Sequence, residues 1–161
     1  MTGDAMWNIE MVKDKLINSS LPILVVEDSM ADFQTMQRLF KKTGITNPVR
    51  HCETGQQALE FLKEAETPGD ENFKPALILL DLNLPGISGR EILKQVKTND
   101  NLKSIPVIVF TTSDSEKDID ECYQHGANSY ITKPVDLDKF REVIETIKSY
   151  WLNIVALPSL S

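Results

Sequence analysis

Cysteine is scarce in this 161-residue chain, and the two present, Cys52 and Cys122, lie far apart without a CxxC or any Cys/His cluster. That pattern excludes a disulfide scaffold and a cysteine-bound metal, and it reads as reduced thiols of a cytoplasmic protein. Basic charge is also short: 17 Lys and Arg stand against 24 Asp and Glu, for a net charge of -7. Nucleic-acid binding rests on cations neutralising phosphates, so no nucleic-acid partner is expected. No apolar run approaches the ~18 residues of a membrane span, and residues 1–20 carry Asp4, Glu10 and Asp14 where a signal peptide would be apolar. No membrane association is expected. Neither GxxxxGK[ST] nor GxGxxG occurs, which argues against a nucleotide switch. Repeats and low-complexity tracts are absent too.

What remains is 41% hydrophobic and 25% charged, the composition of a globular domain with a real core. Five apolar runs of strand length stand out: 22–26, 49–52, 76–80, 106–110 and 128–132. Most lack strict alternation, as strands covered on both faces do. Helical periodicity fills the gaps. It is carried by Phe33, Met36, Leu39 and Phe40; by Ala58, Leu59, Phe61 and Leu62; by Ile92, Leu93 and Val96; by Ile119, Cys122 and Tyr123; and by Leu137, Phe140, Val143, Ile144 and Ile147. Ser29 with Asp32, Thr54 with Gln57, Ser88 with Glu91 and Ser113 with Glu116 have the spacing of helix N-caps. Gly44 and Gly126 suit helix ends. The expected fold is α/β, a (βα)5 doubly wound parallel five-stranded sheet. Residues 1–20 form an N-terminal extension, expected helical, before a domain over 21–150. Residues 67–75 read as a loop. The tail 151–161 carries Trp151, Leu152, Ile154, Val155 and Leu157, too apolar to lie free.

Four of the runs end on a polar group of different chemistry: Glu27 and Asp28, Asp81, Thr111 and Lys133. If the strands are parallel neighbours, these groups meet at the sheet edge where open α/β folds bind ligands. Three carboxylates suit a hard divalent ion, and a hydroxyl and an ammonium suit a phosphoryl group beside it. Singly, each has an ordinary explanation. An aspartate after a strand forms turns, a terminal lysine is solvated, and Tyr130 fits a half-buried core position. Jointly, the ordinary explanations need five coincidences in order. His51 and His125 show no partner in the sequence and receive no role.

The segments VVEDS (25–29), LLDLNLPGISG (79–89), PVIVFTTS (106–113) and GANSYITKPV (126–135) resemble the receiver domain of two-component response regulators. The resemblance implies a flavodoxin-like receiver fold, with Asp81 as phosphoacceptor taking its phosphoryl group from a sensor histidine kinase. It implies Mg2+, with Mn2+ or Ca2+ able to substitute, held by Asp28, Asp81 and the backbone carbonyl of Asn83, with Glu27 reaching it through water. Lys133 and Thr111 would contact the phosphoryl group, and Thr111 with Tyr130 would form a conformational switch. A cis Lys133-Pro134 bond is expected as well, and Asn83 and Ser113 are expected to tune the acyl-phosphate lifetime. Beyond self-phosphorylation and autodephosphorylation the protein would not be an enzyme. Two alternatives stay open. One is a Mg-dependent phosphotransferase or phosphatase of haloacid dehalogenase type, whose second aspartate is here Asn83; the other is a receiver-like binding module that works without phosphorylation. WLNIVALP and the DLNLP to GREIL segment resemble single-domain regulators of cyanobacterial-type phytochrome histidine kinases. That implies a phytochrome-type kinase, a homodimer formed by the tail or the fourth and fifth helices, and a downstream protein reached by docking, since nothing after about residue 150 is long enough for a DNA-binding domain.

Overall fold

The computed structural model describes residues 20–67 and 74–158. The expected helix in 1–20 falls outside these, apart from Ser20, as does most of the 67–75 loop. Five strands, β1 (Ile23–Val26), β2 (Val49–Cys52), β3 (Leu77–Leu80), β4 (Val107–Thr111) and β5 (Ser129–Thr132), form one parallel sheet in the order β2-β1-β3-β4-β5. The helices are α1 (Met30–Thr43), α2 (Gly55–Ala65), α3 (Gly89–Thr98), α4 (Glu116–Gln124) and α5 (Leu137–Ile147), the last continued by a wider π-helical turn, Lys148–Ile154.

Strand alternation divides the core. Ile23, Val25, Leu77, Leu79, Ile108 and Phe110 face α1 and α5, while Leu24, Val26, Ile78, Leu80, Val107 and Val109 face α2, α3 and α4. The three central strands are buried along their whole length, which accounts for their unbroken apolarity. β2 and β5 are edge strands and only partly covered, so the expectation of two covered faces fails there. Leu152 joins the α1/α5 side of the core and Trp151 packs on it, whereas Tyr150 and Ile154 are exposed. Lys148 adds a tie by donating to the Thr43 carbonyl at 2.6 Å.

Three of the expected caps are present: the hydroxyls of Ser29, Thr54 and Ser88 accept from the amides of Asp32, Gln57 and Glu91. Ser113 is not the cap of α4. That helix starts at Glu116, so the residue just before it, Ser115, takes the role and accepts from the Asp118 amide. The run TTSDS offers two serines, and spacing alone does not choose between them. Tyr123, placed on the apolar face of α4 by periodicity, is exposed. The Lys133-Pro134 bond is trans, since no cis peptide occurs among the described residues; trans is the lower-energy form even before proline.

After β1 the chain turns to one side of the sheet and after β3 to the other, which leaves a crevice beyond the ends of β1 and β3. Gly89 lets α3 close over that crevice. A Cβ there would stand 2.0 Å from the Asp81 carbonyl oxygen and 2.7 Å from the Leu82 Cα, both main-chain atoms that cannot rotate away. Gly89→Ala should therefore destabilise the fold by about 2 kcal/mol or more, the cost of forced overpacking. Urea denaturation measures it, and an unchanged midpoint would refute the close approach.

Candidate functional site

Register brings the polar strand ends together. Val26 pairs with Leu80, so Glu27 and Asp81 leave the sheet side by side, and the Asp81 amide donates to the Val26 carbonyl at 3.0 Å. Thr111 ends β4 and pairs with Thr132; the next amide, Lys133, donates to the Thr111 carbonyl at 2.7 Å. Asp28 follows Glu27 into the β1-α1 turn and lies exposed.

Asp81 is buried, and its carboxylate is held from both sides. Oδ1 accepts from the Thr111 hydroxyl at 2.8 Å and from the Asn83 amide at 3.1 Å; Oδ2 accepts from Lys133 at 3.0 Å. The Lys133 ammonium also meets Glu27 Oε2 at 2.8 Å and Asp32 Oδ2 at 2.9 Å. One buried cation thus serves three carboxylates. Burial alone would raise the Asp81 carboxyl, but hydrogen bonding and charge from Lys133, with Thr111 and Asn83 adding to them, hold it below the usual aspartate range. Burial alone would lower Lys133; its bonds to Glu27, Asp32 and Asp81 raise it instead, and it stays charged. Glu27 fares differently. Burial pushes it from the ordinary 4.5 to about 7; the hydrogen bond from the shared lysine pulls it down by more than Asp81 repulsion raises it, but does not offset the burial.

Glu27, Asp28 and Asp81 each offer a carboxylate oxygen within 4.8 Å of the others, a donor set that could hold a divalent ion. All the donors are hard oxygens, and with Asp32 the cluster has four carboxylates for one ammonium, so a further cation fits its chemistry. A testable pH dependence follows. Between about pH 4.5 and 7 the folded protein binds more protons at Glu27 than the unfolded chain does, so metal-free stability falls as pH rises through that window. The depressed Asp81 contributes stability that is lost only as pH falls below about 4, so it is silent there. Thermal melts without metal should drop from pH 5 to pH 7, and stabilisation by a divalent ion should grow over the same range; a flat metal-free profile would count against a strained Glu27.

Every strand-end residue singled out in the sequence lies in this crevice. Asn83 is represented by its main chain, while its side chain is exposed. Tyr130 is half-buried against the α2/α3/α4 side of the core, and its hydroxyl donates to the Ser113 carbonyl at 2.7 Å. His125 ends α4 and takes no part. His51 does have partners: its Nε2 is 2.7 Å from the Glu27 carbonyl oxygen and its ring stacks on Phe33 at 3.6 Å. It braces the turn that carries Glu27 and Asp28. Asp32, in the first turn of α1, also belongs to the site through its bond to Lys133, which its reading as a cap partner of Ser29 did not reveal.

A doubly wound sheet with an acidic, lysine-bridged crevice at its switch point defines a class of α/β proteins that handle phosphoryl groups or divalent ions. Residues 23–145 match the response regulator receiver domain. The chain is 40% identical over 137 residues to response regulator Rcp1 of Synechocystis, covering 85% of this chain and 92% of that protein. It is 38% identical over 131 residues to the probable methanogenesis regulatory protein FilR2 of Methanothrix harundinacea, covering 81% and 83%. Among solved structures, manganese-bound Rcp1 superposes with a TM-score of 0.78 at 40% identity, covering 86% of this chain and 99% of that one. The phosphorylated cyanobacterial phytochrome response regulator RcpA gives 0.79 at 36% identity, covering 87% and 99%. The chain belongs to the response regulator receiver family. It is thus a two-component signalling protein, and the haloacid dehalogenase alternative is set aside. Among the described residues no helix is long and apolar enough to cross a membrane.

Proposed function

We propose that Asp81 accepts a phosphoryl group from a phosphohistidine of a sensor histidine kinase, and that the modified crevice signals through Thr111 and Tyr130. The observation that carries this reading is the setting of Asp81: a buried, ionised carboxylate between a hydroxyl and an ammonium, beside two more carboxylates. A carboxylate oxygen attacks phosphorus, the P–N bond of the donor breaks as the P–O bond forms, and the released imidazole takes up a proton. The transition state carries its charge on the three transferring oxygens. Lys133 and Thr111 already donate to the two Asp81 oxygens and would pass those hydrogen bonds to the transferring oxygens as the new bond forms.

Mg2+ is the proposed ion, held by Asp28, Asp81 and the Asn83 carbonyl, with Glu27 acting through water; when bound, it offsets carboxylate repulsion and the charge of the incoming group. The kinase is proposed to be of phytochrome type, on the likeness to Rcp1 and RcpA. Catalysis is confined to self-phosphorylation and loss of the phosphoryl group, because Asn83 puts an amide where a hydrolase would need a second carboxylate. The apolar surface at Tyr150 and Ile154 supports a homodimer. Further expectations are a downstream protein reached by docking and a place in the cytoplasm.

The reading is tested by adding a small acyl-phosphate donor with and without Mg2+ and following intact mass. One metal-dependent phosphoryl adduct is expected, and its absence would overturn the assignment.

A further inference from the structure

Outside the crevice, the Asp118 carboxylate on α4 joins α4 to both α3 and the β4-α4 turn. Its Oδ1 is bonded to the Arg90 guanidinium of α3, and its Oδ2 accepts the Ser113 hydroxyl at 2.6 Å. Arg90 also lies 3.7 Å from Glu121. The Ser113 carbonyl in turn takes the Tyr130 hydroxyl at 2.7 Å. Ser113 lies two residues beyond Thr111, whose hydroxyl reaches Asp81, and Arg90 follows Gly89, whose amide donates to the carbonyl of Leu82, the residue after Asp81, at 3.1 Å. These bonds and the short chain segments between them close a ring from Asp81 through Thr111, Ser113, Asp118, Arg90, Gly89 and Leu82 back to Asp81.

We infer that Arg90 and Asp118 are positioning residues which fix the Ser113 carbonyl as the seat of the Tyr130 hydroxyl, and so set how readily the crevice accepts a phosphoryl group. This inference rests on the proposed role of Asp81 and extends it to residues that touch neither phosphoryl group nor ion. The linkage is physical. Ser113 sits in a short turn between β4 and α4, and without Asp118 its hydroxyl loses the acceptor that orients the peptide. A tyrosine hydroxyl without a fixed acceptor has less reason to stay half-buried. Asp118 is suited to the task, because hydrogen bonds from Ser113 and then Arg90 hold its carboxyl below the usual range and keep it ionised.

The test uses the full chain labelled with 3-fluorotyrosine, whose three tyrosines, Tyr123, Tyr130 and Tyr150, are assigned by phenylalanine substitution. In Asp118→Ala and in Ser113→Ala the Tyr130 fluorine line should move toward that of solvent-exposed tyrosine while the Tyr150 line stays. Apparent affinity for beryllofluoride with Mg2+ should fall about fivefold or more, the worth of one coupled hydrogen bond. In a Tyr130→Phe background, Asp118→Ala should change that affinity less than about twofold, because the shared path is already cut. An unmoved Tyr130 line in both variants, or fully additive losses in the double variant, would overturn the inference. Ser113→Ala carries the test if Asp118→Ala does not fold. If beryllofluoride failed to bind the parent, the role of Asp81 would fall, while the fluorine line would still report on the seat of Tyr130.

Discussion

Asp81→Asn should abolish phosphoryl incorporation from both a small donor and a phosphorylated kinase, if Asp81 is the proposed phosphoacceptor. The amide is close to isosteric and its oxygen can still accept from Thr111, so the fold and the crevice survive. It offers no anionic oxygen to attack phosphorus, and no neighbour can substitute. Asp28 is exposed, while Asp32 and the buried Glu27 are both tied to Lys133. The loss should be complete within detection, not a partial slowing, since removing the nucleophile removes the step. The variant should also bind divalent ions more weakly, because one of three candidate carboxylates is gone. Intact mass after incubation with donor and Mg2+ checks the first outcome. Labelling equal to the parent would move the phosphoacceptor elsewhere.

Lys133→Ala should give the second large effect, and it separates stability from signalling. The ammonium is buried and lies 2.8 to 3.0 Å from Glu27, Asp32 and Asp81. Deleting it leaves two buried carboxylates and a half-exposed one without their cation. Removing one partner of a buried ion pair typically costs about 3–5 kcal/mol, and the metal-free variant should lose stability of that order at neutral pH. At pH 5 the loss should shrink, because Glu27 then takes up a proton and no longer needs the cation. A divalent ion should restore much of the stability by binding the folded state alone. Metal binding is thus spared or strengthened, while affinity for a phosphoryl mimic drops. Denaturation with and without Mg2+ at both pH values distinguishes these outcomes, and a variant as stable as the parent without metal would contradict the shared-cation picture.

The sequence was most legible where one physical cause dominates. β1, β3 and β4 are buried on both faces, so their apolar runs are unbroken, and a polar residue that ends such a run must emerge at the sheet edge. That logic placed Glu27, Asp28, Asp81, Thr111 and Lys133 together without knowledge of packing. β2 and β5 were less distinct because edge strands are half-covered and mix residues such as Arg50 and Ser129 into the run. What the sequence withheld was long-range. Asp32 meets Lys133 across 101 residues, and Arg90 meets Asp118 across 28. Such partners depend on how helices are set against one another or against the strand ends, which periodicity does not encode. His51 had no visible partner because its acceptor is a backbone carbonyl, invisible in any pattern of side chains. Ser113 and Ser115 illustrate a finer ambiguity, since a helix start shifted by two residues exchanges a cap for a member of the Asp118 network.

The most direct test of the central claim is chemical trapping of the acyl phosphate. After incubation with Mg2+ and a small phosphodonor, borohydride reduces an aspartyl phosphate to homoserine, and peptide sequencing by mass spectrometry locates it. The expected result is homoserine at position 81, dependent on both donor and metal and absent from Asp81→Asn. Reduction at another carboxylate, or none in a protein that carries the phosphoryl adduct, would contradict the account.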